Sequence, residues 1–327
     1  MEKERTMTDA RVDLLARARE GDSDAFHDLT APHHRELHVH CYRMLGSLQD
    51  AEDALQDALL SAWQALDRFE GRSSVRTWLY TIATNRCLNL RRSASSRGTE
   101  WTVPGVELPE PSRLGEIAWL QPYPNDLDPA AWVEQRDSMS LAFVTALQAL
   151  PPRQVAVLLL RDVLGFPASD VASMLDSTLD AVNAALSRAR AGMRQHRRAA
   201  SSAPAPMSAV ESTLVDAFVR AYQASDIEAV VALLTDEIFI SMPPLPFEYE
   251  GPAAARSMFS SVLGGRRFEL VQTRANGQPA FGTYLLAPDG TRHGTGMLVL
   301  TLEGDRISAL TRFEAAMLPW FGLPRVL

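Results

Sequence analysis

The sequence predicts a multidomain protein with two all-α domains, the second a helix-turn-helix, followed by a C-terminal α+β domain. Three observations predict this arrangement. Apolar residues recur at helical spacing over residues 9–97 and again over 137–198. Short β-type runs begin near residue 238. A Pro-rich segment, 98–136, and an Ala/Pro/Ser segment, 199–208, separate the three parts of this 327-residue chain.

The composition is that of a globular protein, with 46% hydrophobic and 22% charged residues. The chain has no run of eighteen apolar residues, and its charged N-terminus is unlike a signal sequence, so we expect a cytoplasmic protein without a membrane segment. Two cysteines do not suggest a disulfide framework. The formal charge of −8 does not exclude DNA binding, because the basic residues are concentrated in two short runs and the local field governs association.

The first helical domain, residues 9–97, begins with a short helix that Gly21 and Asp22 are expected to end and to cap. A histidine-rich stretch follows. His34 and His38 are four residues apart and could share a metal ion, but no carboxylate or second thiol completes a set of four ligands. We therefore expect no metal and no cofactor.

The charge pattern of residues 50–97 is the most informative feature of this domain. When residues 50–66 are wound as a helix, Asp50, Asp53 and Asp57 share one face and the apolar residues share the opposite face. Residues 68–97 then contain seven arginines and a single acid, Glu70. This pattern indicates that the domain binds two partners side by side, a basic one through the acidic helix face and an acidic one through the Arg-rich segment. An amphipathic helix with a solvated face would explain the first helix alone.

Residues 50–57, Asp-Ala-Glu-Asp-Ala-Leu-Gln-Asp, with Trp63 and the ordered run from Phe69 to Asn85, resemble the second conserved region of the extracytoplasmic-function sigma factors. The resemblance implies that residues 9–97 bind core RNA polymerase, through a basic clamp helix of its largest subunits, and the minus-ten promoter element. The polymerase-binding residues that it implies are Glu52, Asp53, Gln56 and Asp57.

The segment after the acidic helix supplies the candidate residues for the minus-ten element. Aromatic rings can stack on unpaired bases, and guanidinium groups can bind phosphate through two hydrogen bonds. Trp78 could stack on a base or belong to the core, and both alternatives stay open. The predicted DNA-binding residues here are Arg72, Arg76, Trp78, Asn85, Asn89, Arg91 and Arg92.

Residues 98–136 have the character of an acidic, Pro-rich linker. Residues 93–136 contain six prolines, seven acids and three arginines. The aromatic residues Trp101, Trp119, Tyr123 and Trp132 predict that the linker packs onto another surface rather than being fully disordered. A related acidic linker in the sigma factors threads the polymerase channel in which RNA later runs.

Residues 137–198 show the helix-turn-helix pattern: a helix to Leu175, a turn at 176–178, and a longer helix from Leu179 to about Gln195. A plain helical hairpin is the alternative. The position in the chain makes the pattern similar to the fourth conserved region of the same sigma factors, which reads the minus-thirty-five element. The predicted DNA-binding residues are Thr178, Ala181, Ala184, Ser187, Arg188 and Arg190.

Residues 209–327 predict helices followed by antiparallel strands, which is an α+β layer. The order of elements, with the Pro-rich turn at 242–246, resembles the SnoaL-like domains, in which a curved sheet wraps around helices as a cone with an apolar pocket. We expect Trp320 to pack over that pocket or against the sigma domains. The predicted pocket residues are Met242, Tyr249, Tyr284, Met297, Arg312, Glu314 and Trp320.

The function predicted is that of a non-enzymatic sigma factor, which directs core RNA polymerase to promoter DNA and is regulated by its C-terminal domain. An unidentified small ligand or regulator would be a further partner of that domain. The alternative is a bifunctional protein whose C-terminal domain is a cyclase- or isomerase-type enzyme, although its candidate bases, His293, Glu248, Asp236 and Glu314, match no catalytic motif. A helix-turn-helix repressor would leave the match over residues 50–85 unexplained.

Overall fold

The computed structural model describes residues 13–93, 106–115, 120–125, 138–196 and 203–327. The chain forms two compact units. A helical unit comprises Met1–Arg97 and Leu147–Arg194, and a C-terminal unit comprises Gly98–Ala146 and Gln195–Leu327. None of the helices in the described part of the chain is long and apolar enough to span a membrane.

The first half of the helical unit is a three-helix arrangement. Residues 13–19 are helical, and the Asp22 side chain then caps the next helix by accepting hydrogen bonds from the backbone N–H groups of Asp24 and Ala25. The predicted helix stop and cap are confirmed. The three long helices are α1 (Ser23–Leu45), α2 (Leu48–Ala65) and α3 (Val75–Ser93), with a 3₁₀ turn at Leu66–Arg68 after α2.

Helix α2 buries a face of small residues, which lets it lie close to its neighbours. Ala51, Ala54, Ala58 and Ala62 are all buried. Larger side chains of α1 and α3, such as Tyr42 and Tyr80, fill the space between the helices. Since one side of α2 is committed to this core, its acidic side is left facing outward.

The second half of the helical unit contains the predicted helix-turn-helix. Its two helices are joined by residues 175–178, where Asp176 adopts a left-handed φ of 46°. Val182, Leu186 and Met193 are buried, as their spacing predicts. Helix α4 (Leu141–Gln148) begins in the C-terminal unit, and only its last two residues belong to the helical unit. The helices that follow are α5 (Pro152–Leu158) with a π-helical turn at Leu159–Val163, α6 (Ala168–Met174) and α7 (Leu179–His196).

The C-terminal unit is a curved sheet packed on helices, which confirms the predicted α+β class. The sheet order is β1-β3-β2-β7-β6-β5-β4, with β2 and β7 parallel and the other neighbours antiparallel. The helices are α8 (Ala209–Gln223), α9 (Ile227–Ala232) and α10 (Gly251–Leu263), and the strands are β1 (Arg113–Leu114), β2 (Leu234–Met242), β3 (Leu245–Glu250), β4 (Phe268–Ala275), β5 (Gln278–Leu286), β6 (Arg292–Glu303) and β7 (Arg306–Glu314).

Two strands of this sheet were not predicted. The Pro-rich stretch after Met242 suggested only a turn, but the turn ends at Pro244 and β3 begins at Leu245. Strand β1 lies in the linker and pairs with β3, with Arg113 opposite Glu248. Such a short strand has no periodicity of its own to reveal it, because it forms only by pairing with an existing edge.

Candidate polymerase and nucleic-acid interfaces

The outer face of α2 carries the predicted polymerase-binding residues. Asp53, Gln56 and Asp57 are exposed. Glu52 is half-buried, accepts a hydrogen bond from Gln56 at 3.1 Å, and lies 3.4 Å from His38 Nε2. The face is therefore an ordered acidic surface with Glu52 at its inner edge.

Leu60 adds an apolar group to this surface and was missed by sequence reasoning. It lies one turn after Gln56 and Asp57 and is 56% exposed. Its spacing from those two residues was the signal that placed it on the same face. An exposed leucine beside three polar groups is suited to a protein interface, where apolar contacts accompany charge complementarity.

On α3, three of the predicted DNA-binding residues, Arg76, Asn85 and Arg91, form hydrogen bonds inside the helical unit. The Arg76 Nε donates to Glu36 Oε2 at 3.0 Å, and its guanidinium lies over the rings of Tyr80 and Phe166, at 4.9 and 5.1 Å. Burial acts to raise the pKa of Glu36, but hydrogen bonds from His33 and Arg76 hold that pKa below its usual value. Arg76 thus belongs to a charged network that joins α1 and α3.

Arg91 is the most deeply engaged of these residues. It donates to three backbone carbonyls, Met44 at 3.2 Å and Gln148 and Leu150 at 3.3 Å each. Burial lowers the pKa of its guanidinium. Asn85, although mostly exposed, donates to the Met174 carbonyl at 3.4 Å. In this arrangement Arg91 is not positioned to bind phosphate. The sequence did not indicate this, because the carbonyls that Arg91 bonds lie far from it along the chain.

The remaining minus-ten candidates differ in accessibility. Arg72 is exposed and pairs with Glu70 at 3.0 Å, and Asn89 is exposed. Trp78 is half-buried against Phe69, with ring centroids 4.7 Å apart, in a small apolar cluster. This packing favours the core alternative for much of the Trp78 ring. The side chain of Arg92 lies outside the described residues, as do Trp101, Trp119 and Trp132 of the linker.

The outer face of α7 is accessible. Ala181, Ala184, Ser187 and Arg188 are exposed along one side, opposite the buried residues. Thr178 is exposed, and its hydroxyl accepts from the Ala181 N–H at 3.2 Å, which caps the helix.

Two further side chains qualify the prediction for α7. Arg190 forms a two-pronged ion pair with Asp162, at 2.7 and 2.8 Å. Asn183 is exposed next to Ala184 and was missed, although its spacing of four from Ser187 placed it near the same face. An amide side chain in the major groove is suited to adenine.

The interior of the C-terminal cone is almost filled. Within the enclosed space, the volume in which the centre of a water molecule fits is only about 10 Å³. This is room for about one water. Burial lowers the pKa of Arg312 to about 10, and its Nη2 donates to the Thr295 carbonyl at 2.7 Å. The lining residues are Tyr222, Ile240, Met242, Met258, Phe259, Val262, Leu298, Leu310 and Arg312.

Of the seven predicted pocket residues, only Met242 and Arg312 line this cavity. Tyr284 lies on the opposite sheet face, where its hydroxyl donates to the Pro324 carbonyl at 2.8 Å. Met297 also lies on that face, because its neighbour Leu298 points inward. Successive side chains of a strand alternate between the two faces of the sheet. The prediction placed Tyr284 and Met297 on the wrong face because the sequence does not show which face the helices cover.

The other three predictions also need correction. The Tyr249 hydroxyl donates to the Pro109 carbonyl of the linker at 3.0 Å. Glu314 ends β7 and precedes a 3₁₀ turn at Ala315–Phe321. Trp320 lies in that turn and is 45% exposed, so the expectation that it covers the pocket is wrong.

Comparison with known proteins finds a family match in each of the three parts of the chain. Residues 29–97 match the Sigma-70 region 2 family, residues 140–193 match Sigma-70, region 4, and residues 215–310 match the SnoaL-like domain. The ECF RNA polymerase sigma factor SigG of Mycobacterium tuberculosis is 40% identical over 321 residues, which cover 94% of this chain and 85% of SigG. The chain therefore belongs to the ECF RNA polymerase sigma factors.

Two further comparisons concern SigJ of the same organism. The ECF sigma factor SigJ is 29% identical over 249 residues, which cover 75% of this chain and 72% of SigJ. The crystal structure of SigJ aligns with a TM-score of 0.57 at 20% identity, covering 89% of this chain and 96% of that one. The family models and SigG confirm the family assignment and the function in promoter-specific transcription initiation, and the SigJ structure confirms the fold class.

Proposed function

We propose that this sigma factor docks on the largest subunits of core RNA polymerase through the acidic face of α2. The observation that carries the proposal is the division of this helix into a buried alanine face and an exposed polar face. Exposed carboxylates steer a basic partner, and an exposed apolar residue beside them adds contact area that excludes water. The docking surface consists of Glu52, Asp53, Gln56, Asp57 and Leu60.

Promoter DNA is read by two surfaces, α3 for the minus-ten element and α7 for the minus-thirty-five element. The two elements lie about 25 base pairs apart, about 85 Å at 3.4 Å per base pair. In the helical unit, however, Asn85 of α3 contacts Met174 of the helix-turn-helix. The two surfaces are too close in this arrangement to reach both elements at once. Promoter binding therefore requires them to separate.

The C-terminal domain acts in this proposal as a regulator and not as an enzyme. Among the described residues lining its cavity there is no carboxylate or histidine to serve as a general base. The cavity also has room for about one water molecule, whereas small-molecule sites are usually ~300–1,000 Å³. Regulation then has to act through contacts of the outer surfaces of the domain.

Transcription in vitro tests the proposal. Core RNA polymerase is incubated with genomic DNA of the same bacterium, with and without the full-length protein. We expect defined transcript start sites only when the protein is present. Specific binding of promoter DNA by the protein alone, with no effect on transcription by core polymerase, would instead support the repressor alternative.

A further inference from the structure

The turn between β4 and β5 binds both the linker and the residues that lead from it into α4. Asn276 lies in this turn with a left-handed φ of 54° and is 1% exposed. Its side-chain Nδ2 donates to the Met139 carbonyl at 2.7 Å, and its Oδ1 accepts from the Tyr123 N–H at 2.7 Å. Its backbone N–H donates to the Tyr123 carbonyl at 2.9 Å. One buried amide thus joins two segments that lie on either side of residues 126–137.

The two residues after Asn276 extend this contact. The Gly277 N–H donates to Asn125 Oδ1 at 2.9 Å, and Gln278 Oε1 accepts from the Leu141 N–H at 3.1 Å. We call Asn276, Gly277 and Gln278 the linker clamp. Four of the five groups that the clamp bonds are backbone groups, of Tyr123, Met139 and Leu141, and the fifth is the Asn125 side chain. These directed bonds specify where this part of the chain lies.

The clamp is held in place from within the C-terminal domain. Arg274, two residues before Asn276, pairs with Glu211 of α8 at 2.6 Å and also donates to the Gly277 carbonyl at 2.9 Å. Glu211 is buried and Arg274 is mostly buried. A turn fixed in this way loses little conformational freedom when it binds its partner.

A second contact holds the earlier part of the linker. Strand β1 extends the sheet at β3, and Arg113 forms an ion pair with Glu248. The Ser112 hydroxyl accepts from the Glu250 N–H at 3.0 Å, and Val106 and Leu108 pack against the core of the cone. The linker is therefore bound by two separate surfaces of the C-terminal domain.

We infer that the C-terminal domain binds the linker of its own chain and that this binding keeps the two DNA-reading surfaces from spanning the promoter. The inference rests on the proposed function. If fully extended, the residues between the end of α3 at Ser93 and the start of α4 at Leu141 could reach roughly 160 Å. When it is bound, the first contact, at Val106, follows the end of α3 by about 13 residues, a reach of at most about 45 Å. After the last contact, at Leu141, α4 begins without intervening chain.

The variant Asn276→Gly tests the clamp in the full-length protein. Glycine accepts the left-handed backbone of this turn, so the change removes the amide side chain and keeps the turn. Amide hydrogen exchange is measured over residues 120–125 and 138–141. Because two buried hydrogen bonds are lost, we expect exchange there to become at least about tenfold faster. Transcription with core polymerase should rise severalfold.

Ser225→Gly is the matched control. Ser225 also has a φ of 54°, and its hydroxyl donates to the Arg266 carbonyl within the C-terminal domain, away from the linker. The control variant should leave linker exchange and transcription at wild-type levels. A second variant, Asn125→Ala, removes a clamp contact from the linker side, so the test does not depend on the folding of one substituted turn.

The outcomes separate the inference from the proposed function. Unchanged linker exchange in both Asn276→Gly and Asn125→Ala would overturn the inference, and so would faster exchange with unchanged transcription. Absence of any transcript with the wild-type protein and core polymerase would overturn the proposed function, and with it the promoter-spanning part of the inference. In that case hydrogen exchange would still decide whether the domain binds the linker.

Discussion

The acidic face of α2 and the proposed DNA-binding face of α3 lie on neighbouring helices but differ in what their polar groups contact. Asp53, Gln56 and Asp57 of α2 face outward, whereas Arg76 and Arg91 of α3 are bonded to groups of the same unit. Docking through α2 can therefore proceed without rearrangement. The DNA reading proposed for α3 would have to exchange internal hydrogen bonds for contacts to DNA, so any interaction that favours one arrangement would also control promoter binding.

The largest expected effect comes from removing the internal role of Arg91. Arg91→Ala should lower the free energy of unfolding of the helical unit by about 3 kcal/mol, because three carbonyls lose a charged donor. Urea denaturation followed by circular dichroism measures the change. Arg86→Ala is the control, since Arg86 is exposed and donates to Ser61 Oγ only at the surface. If Arg91→Ala weakened DNA binding at unchanged stability, Arg91 would act as a DNA contact and not as an internal one. The contrast drawn between α2 and α3 would then be wrong.

Arg188 tests the accessible DNA face of α7. Arg188→Ala should cost roughly 1–3 kcal/mol on promoter templates and relax the preference at one base pair, because a bidentate contact to guanine is lost. Transcription from templates mutated at each minus-thirty-five position measures this. Arg190→Ala is the comparison within the same helix: its pairing with Asp162 predicts a smaller loss that is the same on every template. An equal loss on every template for Arg188→Ala would assign it to phosphate instead.

Acid should weaken the core beneath the DNA face. Burial, followed by the charges of Arg43 and Arg76, lowers the pKa of His40 from 6.5 to about 3. Between those values the unfolded chain binds a proton that the folded one does not, so stability falls as the pH falls from 6.5 towards 3. At pH 5 the loss is about 2 kcal/mol.

Urea unfolding of the wild type and of His40→Gln at pH 7 and pH 5 tests this expectation. Glutamine cannot take up the proton, and it can replace the hydrogen bond between His40 and Thr84. The difference between the two pH values should therefore shrink in the variant. A wild-type protein equally stable at both values would show that His40 does not resist protonation.

The smallest expected effect concerns the docking surface. Asp53→Arg should weaken core polymerase binding by more than about fivefold, because a single exposed ion pair contributes little but charge reversal adds repulsion. The fold should be unaffected, since Asp53 is exposed. Binding is measured by fluorescence anisotropy at physiological salt, with Asp28→Arg on α1 as the control. Unchanged affinity in Asp53→Arg would count against the α2 surface.

Local features of this protein could be predicted from its sequence. The cap at Asp22, the helix-turn-helix turn near Asp176, and the five predicted strands of the C-terminal domain each depend on residues within a few positions of one another. Periodicity also separated the buried and exposed faces of α2 and α7, because the core covers one side of each helix.

What the sequence by itself determined, therefore, was the order of elements, the family motifs and the outward faces of two helices. The tertiary structure decided the rest. It bonded Arg91 to carbonyls 57 and 59 residues away, and it brought Asn276 to Tyr123, 153 residues away. It also decided which face of the sheet Tyr284 occupies. The physical reason is that these contacts join distant segments, and no local pattern specifies which buried donor meets which acceptor.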